Sequence, residues 1–200
     1  MVARGRLIVL EGGEGCGKST QAALLAARTG ALLTREPGAT PVGRRIRELL
    51  LDPSLPPVSS RTEVLLFLAD RAQHVAQVVA PTLAGGRDVV CDRFSGSTLA
   101  YQGYGRGMEP GELRRLSEWA SAGIVPDRVV LVDIAAVTAD RRLRERGGSD
   151  RMEAADRAFF ERVATGFAAE AAADPGRWRV VDGEGTVEEV FGRVAVASRP

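Results

Sequence analysis

Five short apolar runs punctuate the chain, at residues 7–10, 31–34, 88–91, 129–132 and 178–181, and they are continuous rather than alternating. A strand that is apolar at successive positions is covered on both faces, as in a parallel sheet held between helix layers. The stretches between the runs supply the helices. Residues 21–28 are rich in Ala and Leu, and Thr40-Pro41 sets a cap and a first-turn proline ahead of residues 44–51. Pro110 opens a stretch with Leu113, Leu116 and Trp119 at helical spacing, residues 168–173 are Ala-rich, and Thr186 caps a last helix over 187–196. Pro53, Pro56 and Pro57 make residues 52–59 a surface connector rather than a domain linker, because the strands are incomplete on either side. The pattern predicts a doubly wound α/β layer, whose ligands sit beyond the carboxyl ends of the strands.

One helix breaks its own pattern. At about 100° per residue, residues 64–79 place Val64, Leu65, Leu68, Ala72, Val75 and Val79 on one arc and Asp70, Gln73 and Gln77 opposite. Arg71 falls inside the apolar arc, with Phe67 on the same side. A guanidinium is costly in a closed core, so Arg71 snorkels out, pairs with a local carboxylate such as Asp70 or Glu63, or meets a polar ligand in a cleft. An aromatic face beside a fork of N–H donors suits a flat, hydrogen-bonding base. His74 is expected at the helix surface or in a hydrogen bond, not in catalysis.

The strand ends carry the strongest chemical signal. The first run flows into Gly12-Gly13-Glu14-Gly15-Cys16-Gly17-Lys18-Ser19-Thr20, which fits G-x-x-x-x-G-K-[ST] between a strand and a helix. Glycines let successive N–H groups face phosphate oxygens, and the following helix adds the positive end of its dipole. Lys18 is placed to reach the β and γ phosphates, and Ser19 to hold Mg²⁺. The second run ends in Arg35-Glu36-Pro37-Gly38 and the third in Asp92-Arg93-Phe94, so three strand ends bring a phosphate cradle and arginines to one rim. Asp92 either orients Mg²⁺ through water or holds Arg93.

Composition narrows the class. Two hundred residues with 44% hydrophobic content predict one domain over 1–200. The net charge of +1 gives no general reason to expect nucleic acid or a membrane surface. Cys16 and Cys91 form no disulfide framework and, with His74 as the single histidine, no zinc set. No secretory or spanning stretch is present in the sequence, so a soluble cytoplasmic protein is expected. Residues 141–153 hold Arg141, Arg142, Arg144, Arg146 and Arg151 around Gly147-Gly148-Ser149, a pattern that suits a lid closing over a polyphosphate.

Taken together, Leu-Glu-Gly-Gly-Glu-Gly-Cys-Gly-Lys-Ser-Thr (10–20), Thr-Arg-Glu-Pro-Gly (34–38), Leu-Phe-Leu-Ala-Asp-Arg-Ala-Gln-His (66–74), Asp-Arg-Phe (92–94), Ser-Thr-Leu-Ala-Tyr-Gln-Gly (97–103) and Arg-Gly-Gly-Ser-Asp-Arg-Met-Glu (146–153) make the chain resemble the thymidylate kinases nearly end to end. The resemblance implies a three-layer P-loop kinase fold with a five-stranded parallel sheet and an arginine-rich lid, ATP as phosphoryl donor to dTMP, Mg²⁺ and a homodimer. It implies that Phe67 stacks on thymine and Arg71 donates to a base oxygen. Arg35 and Arg93 hold the acceptor phosphate, Glu14 meets the 3′-hydroxyl region, and Thr98 and Gln102 read the base edge. Tyr101 packs against the sugar, and Ser97 lines the same pocket. Gly15 stands where part of the family has a loop arginine, so the chain resembles the bacterial, lid-arginine kind, with Arg144, Arg146 and Arg151 as catalytic candidates beside Lys18 and Arg93. It departs from the family at Cys16, where alanine is common, at Phe94, where tyrosine or histidine is usual, and at Gly148-Ser149, which makes the lid less acidic. The rival readings are a kinase for another nucleoside monophosphate and a non-catalytic triphosphate-binding switch.

Overall fold

The computed structural model describes residues 3–147 and 156–199. All five apolar runs are strands of one parallel sheet, β1 (Leu7–Glu11), β2 (Leu32–Arg35), β3 (Val89–Asp92), β4 (Arg128–Asp133) and β5 (Trp178–Asp182), in the order β2-β3-β1-β4-β5. Each strand runs one residue or more beyond the apolar stretch into a charged one. Register then lines those charges up, with Arg35 beside Asp92 and Asp92 beside Leu10, one residue before the phosphate loop turns away at Glu11.

Alternation along β1 builds both layers, since successive side chains leave opposite faces of a strand. Ile8 and Leu10 pack with Ala22 and Leu25 of α1 (Lys18–Thr29) and Val190 and Val194 of α9 (Val187–Ala197). Leu7 and Val9 pack on the other face with Val75, Val79 and Leu83. Burying each such side chain stabilises the fold by about 1.5–3 kcal/mol. The caps read from the sequence are present. Thr40 accepts from Gly43 N ahead of α2 (Pro41–Leu51), and Thr186 and Glu189 form a reciprocal capping box on α9.

α3 (Ser60–His74) passes through a π-helical turn (Val75–Val79) into α4 (Ala80–Ala84), and α5 (Ser95–Thr98) passes into a second π-helical segment (Leu99–Gly105). α6 (Pro110–Ala120) packs on α3 through Leu113 and Ala120 against Val64 and Leu68. α8 (Arg157–Ala173) covers the second π segment, with Phe159 and Phe167 both edge-on to Tyr101 at 6.1 Å. No described helix is long and apolar enough to cross a membrane.

The helical arc drawn over residues 64–79 needs correction. It assumed one uniform α-helix, but the π turn changes the angle per residue after His74. Leu65, placed on the core arc, is 62% exposed, while Asp70, placed opposite, is 1% exposed. Asp70 is buried because α3 packs against α2 as well as α6, so its buried face includes positions one wheel assigns to solvent. The helix expected around Leu113, Leu116 and Trp119 is present as α6, with Trp119 80% exposed on it. In the predicted lid, residues 141–146 belong to α7 (Ala136–Arg146), whereas residues 148–153, including Arg151, and the Arg146 side chain lie outside the described residues.

Candidate active site

The phosphate loop leaves β1 through Gly12, whose φ is +148° and where a Cβ would stand 2.5 Å from the Val132 carbonyl oxygen. Only glycine allows the loop to pass β4 that closely. The loop ends at Gly17, and Lys18 opens α1 at the rim. Lys18 is 6% exposed and donates to Gly13 O at 3.1 Å, with Glu14 Oε2 at 3.5 Å. Behind the loop lies α7. Arg142 donates to Gly15 O at 3.4 Å and to Gly183 O at 3.2 Å, tying that helix to the loop and to the turn after β5.

At the end of β3, Ser19 Oγ donates to Asp92 Oδ2 at 2.5 Å, and Asp92 Oδ1 is buried with no partner. The Asp92 carboxylate also acts electrostatically on the Arg93 guanidinium, although no hydrogen bond joins the two among the described contacts. Arg93 has φ +71°, a conformation costing a non-glycine residue about 1–2 kcal/mol. Its backbone N–H donates to Leu10 O at 3.0 Å. Its guanidinium donates to Gly12 O at 3.0 Å, Ser97 Oγ at 2.9 Å, Tyr101 OH at 3.1 Å and the Glu14 carboxylate. Burial pushes the Glu14 carboxyl up, but Arg93 and Lys18 outweigh it and hold the group at about 2. Glu11 supports this turn from beneath, accepting from Phe94 N, Ser97 N and Ser97 Oγ at 3.0, 3.0 and 2.6 Å. Its burial raises its pKa despite those donors.

Deeper in the same cleft, Arg71 is 2% exposed. Its hydrogen-bonded anion is neither of the carboxylates named from the sequence. Glu36, which follows β2 directly, accepts from Arg71 Nε at 2.8 Å, and one donor from each terminal nitrogen reaches Thr98 Oγ1 at 3.0 Å and Ser117 Oγ at 3.4 Å. The Phe94 ring lies under the guanidinium, 5.1 Å from its carbon. His74, expected at the helix surface or hydrogen-bonded, is fully buried and bridges Glu36 Oε1 (Nδ1, 2.9 Å) and Thr34 Oγ1 (Nε2, 2.7 Å). A carboxylate only accepts, so Nδ1 carries the proton toward Glu36. Asp70 accepts from Gly38 N at 2.9 Å. Burial first, then the neighbouring Glu36 charge, raises its carboxyl to about 6.

The family profile described as thymidylate kinase matches residues 10–194. The chain belongs to the thymidylate kinase family. It is 46% identical over 191 residues to the thymidylate kinase of Cutibacterium acnes, covering 93% of this chain and 92% of that protein. It is 47% identical over 183 residues to that of Pseudomonas savastanoi, covering 89% and 87%. A solved thymidylate kinase from Ehrlichia chaffeensis superposes with a TM-score of 0.78 at 30% identity, over 96% of this chain and 97% of that one. The five-stranded P-loop kinase fold expected from the sequence is therefore the fold observed.

Within that kinase fold, Glu14, Lys18, Ser19, Arg35, Phe67, Arg71, Asp92, Arg93, Ser97, Thr98, Tyr101 and Gln102 line one cleft. Cys16 is buried in the loop beneath it. Arg35 is exposed at the rim with no hydrogen-bond or ion-pair partner among the described residues. Arg144 is exposed on α7 and is absent from the residues lining the cleft. Sequence reasoning missed Glu36, His74 and Glu11 as members of the site. Glu36 stood in a strand-end run already marked as charged, and a buried Arg71 requires an anion. Which strand end supplied it was invisible to a helical wheel.

Proposed function

We infer that the chain is a dTMP kinase, moving the γ-phosphoryl group of ATP to dTMP to give dTDP and ADP. The carrying observation is that a phosphate-loop end and a base-sized polar end share one cleft, so donor and acceptor phosphates can meet over Lys18 while a base occupies the Phe67 and Arg71 end. A guanidinium has five N–H donors. Three of those on Arg71 are held by Glu36, Thr98 and Ser117, which leaves donors for a base carbonyl. Phe67 offers its ring to the base plane, Thr98 and Gln102 its edge, and Tyr101 and Ser97 the sugar side.

Little covalent chemistry falls to the protein, because the acceptor phosphate is already ionised at neutral pH (its second pKa is about 6). Positioning and charge neutralisation carry the rate. Lys18 and the loop N–H groups hold the β and γ phosphates, and Arg35 and Arg93 hold the acceptor. Glu14 moves from its cations toward the sugar hydroxyl region. Arg144, Arg146 and Arg151 are the candidate lid arginines.

Ser19 and Asp92 fit Mg²⁺: both are hard oxygen donors, and Asp92 Oδ1 is a buried acceptor without a partner. When bound, the ion supplies neutralisation of phosphate charge. The exposed apolar side chains Leu65 on α3 and Trp119 on α6 would be covered in the homodimer that this reading expects. The two buried, unpaired cysteines suit a reducing cytoplasm.

The test is ADP release with dTMP, dUMP, AMP, GMP and CMP in parallel. The reading expects dTMP first and dUMP slower, since one methyl is worth roughly 1–3 kcal/mol in a fitted pocket. Preference for AMP, GMP or CMP, or no turnover with any acceptor, contradicts it.

A further inference from the structure

Gln102 is 2% exposed, lines the cleft and has an amide that could present either a carbonyl or an NH₂ group to a ligand. Which one it presents decides which base edge it can read. Its Nε2 donates to Glu63 Oε1 at 3.0 Å, and Glu63 is 1% exposed. Arg106 donates to both oxygens of the same carboxylate, at 3.3 Å from Nε and 3.4 Å from a terminal nitrogen, and its guanidinium sits 4.6 Å over the Phe159 ring.

A carboxylate paired with a guanidinium can only accept, so the NH₂ end of the amide must face Glu63. The flip of this amide is therefore fixed by chemistry and not by choice of orientation. No described group donates to Gln102 Oε1, which is left as the acceptor that Gln102 brings to the cleft.

We propose that Glu63, held by Arg106, is a specificity-determining positioning residue: it locks the Gln102 amide so that the cleft offers an acceptor to a base edge bearing a ring N–H. Thymine and uracil carry that proton at N3. Cytosine carries a lone pair there and meets Oε1 acceptor against acceptor. The inference rests on the base lying at the Gln102 end of the cleft, as proposed above. It goes further in assigning the choice of edge to two residues that need not touch the ligand.

Glu63→Gln keeps the shape but can present its own NH₂ to Gln102, which frees the amide to turn. The ratio of kcat/KM for dTMP over dCMP should then fall on the order of tenfold, the size expected when one mismatched hydrogen bond is relieved. The dTMP over dUMP ratio reads only the methyl group and should stay within twofold, which general damage to the site would not spare. Gln102→Leu is measured alongside. If Gln102→Leu lowers the dTMP over dCMP ratio and Glu63→Gln leaves it within twofold, the positioning role is overturned while the base placement stands. If Gln102→Leu also leaves it unchanged, the base placement fails and the inference with it. Should Glu63→Gln not fold, side-chain amide hydrogen exchange in the unaltered protein decides. The Gln102 NH₂ protons should exchange at least tenfold more slowly than those of Gln77 at the surface, and equal rates overturn the proposal.

Discussion

At the inner end of the cleft, Arg71 is held by Glu36, Thr98 and Ser117, and Glu36 is held in turn by His74, which leans on Thr34. At the outer end, Lys18 and Arg93 converge on Glu14, a single carboxylate at the mouth of the phosphate loop. A base binding at the inner end meets donors whose partners lie behind them and need not leave. A phosphate binding at the outer end competes directly with Glu14 for the same cations. Under the function proposed above, the contrast teaches that the two halves of one nucleotide would be recognised differently. The base would meet a prearranged surface, with little ordering left to do on binding, and the phosphates would enter by exchange of ion-pair partners.

The largest effect that can break this comparison is at the outer end. Lys18→Ala should lower kcat roughly a thousandfold, the range seen for a cation that neutralises a transferred phosphoryl group. The melting temperature should barely move, because Lys18 is held by an exchangeable partner. At the inner end, Arg71→Ala should raise KM for dTMP about a hundredfold while KM for ATP stays within threefold. It should also destabilise the fold by about 3–5 kcal/mol, since Glu36 is left buried beside an empty site. Equal effects on both KM values, or no loss of stability, would merge the two ends into one.

A smaller effect sharpens the outer half. Glu14→Gln removes the competitor for Lys18 and Arg93, so inorganic pyrophosphate should bind about tenfold more tightly by calorimetry, each tenfold being about 1.4 kcal/mol. Weaker binding would show that Glu14 organises the cations instead of occupying them.

The smallest effect is in the pH dependence of stability, where the ends should have opposite signs. Glu14 sits at about 2 in the fold against 4.5 ordinarily, so its contribution is present above 4.5 and is lost as pH falls toward 2. Asp70 sits at about 6 against 3.8, so the folded state holds the extra proton, and its contribution is full below 3.8 and lost as pH rises to 6. The melting temperature of Asp70→Asn relative to the parent should therefore climb between pH 4 and 6 and then level. A flat difference would remove Asp70 from the buried cluster around Glu36.

Much of this was legible in the sequence because strands and loops write themselves locally. The five apolar runs, the phosphate loop and the capped helices α2 and α9 each depend on residues within one segment, and each stands where the pattern put it. The family could likewise be read from contiguous motifs. What stayed hidden depends on pairs far apart in the chain. Arg71 finds its anion 35 positions away, Gln102 finds Glu63 at 39, and Arg93 finds Glu14 at 79. A helical wheel shows that Arg71 faces inward but carries no information about what the sheet brings to meet it. Asp70 went astray for a related reason, since α3 is covered by α2 as well as α6 and one hydrophobic arc describes only one side.

The most direct test is a crystal structure of the protein with dTMP bound. The base should lie against Phe67 with the Arg71–Glu36 pair intact, and the phosphate should lie by Arg35 with Arg93 released from Glu14. A base at the rim, or a phosphate bound while Arg93 keeps its Glu14 contact and Arg71 parts from Glu36, would contradict the division of the cleft into a fixed end and an exchanging one.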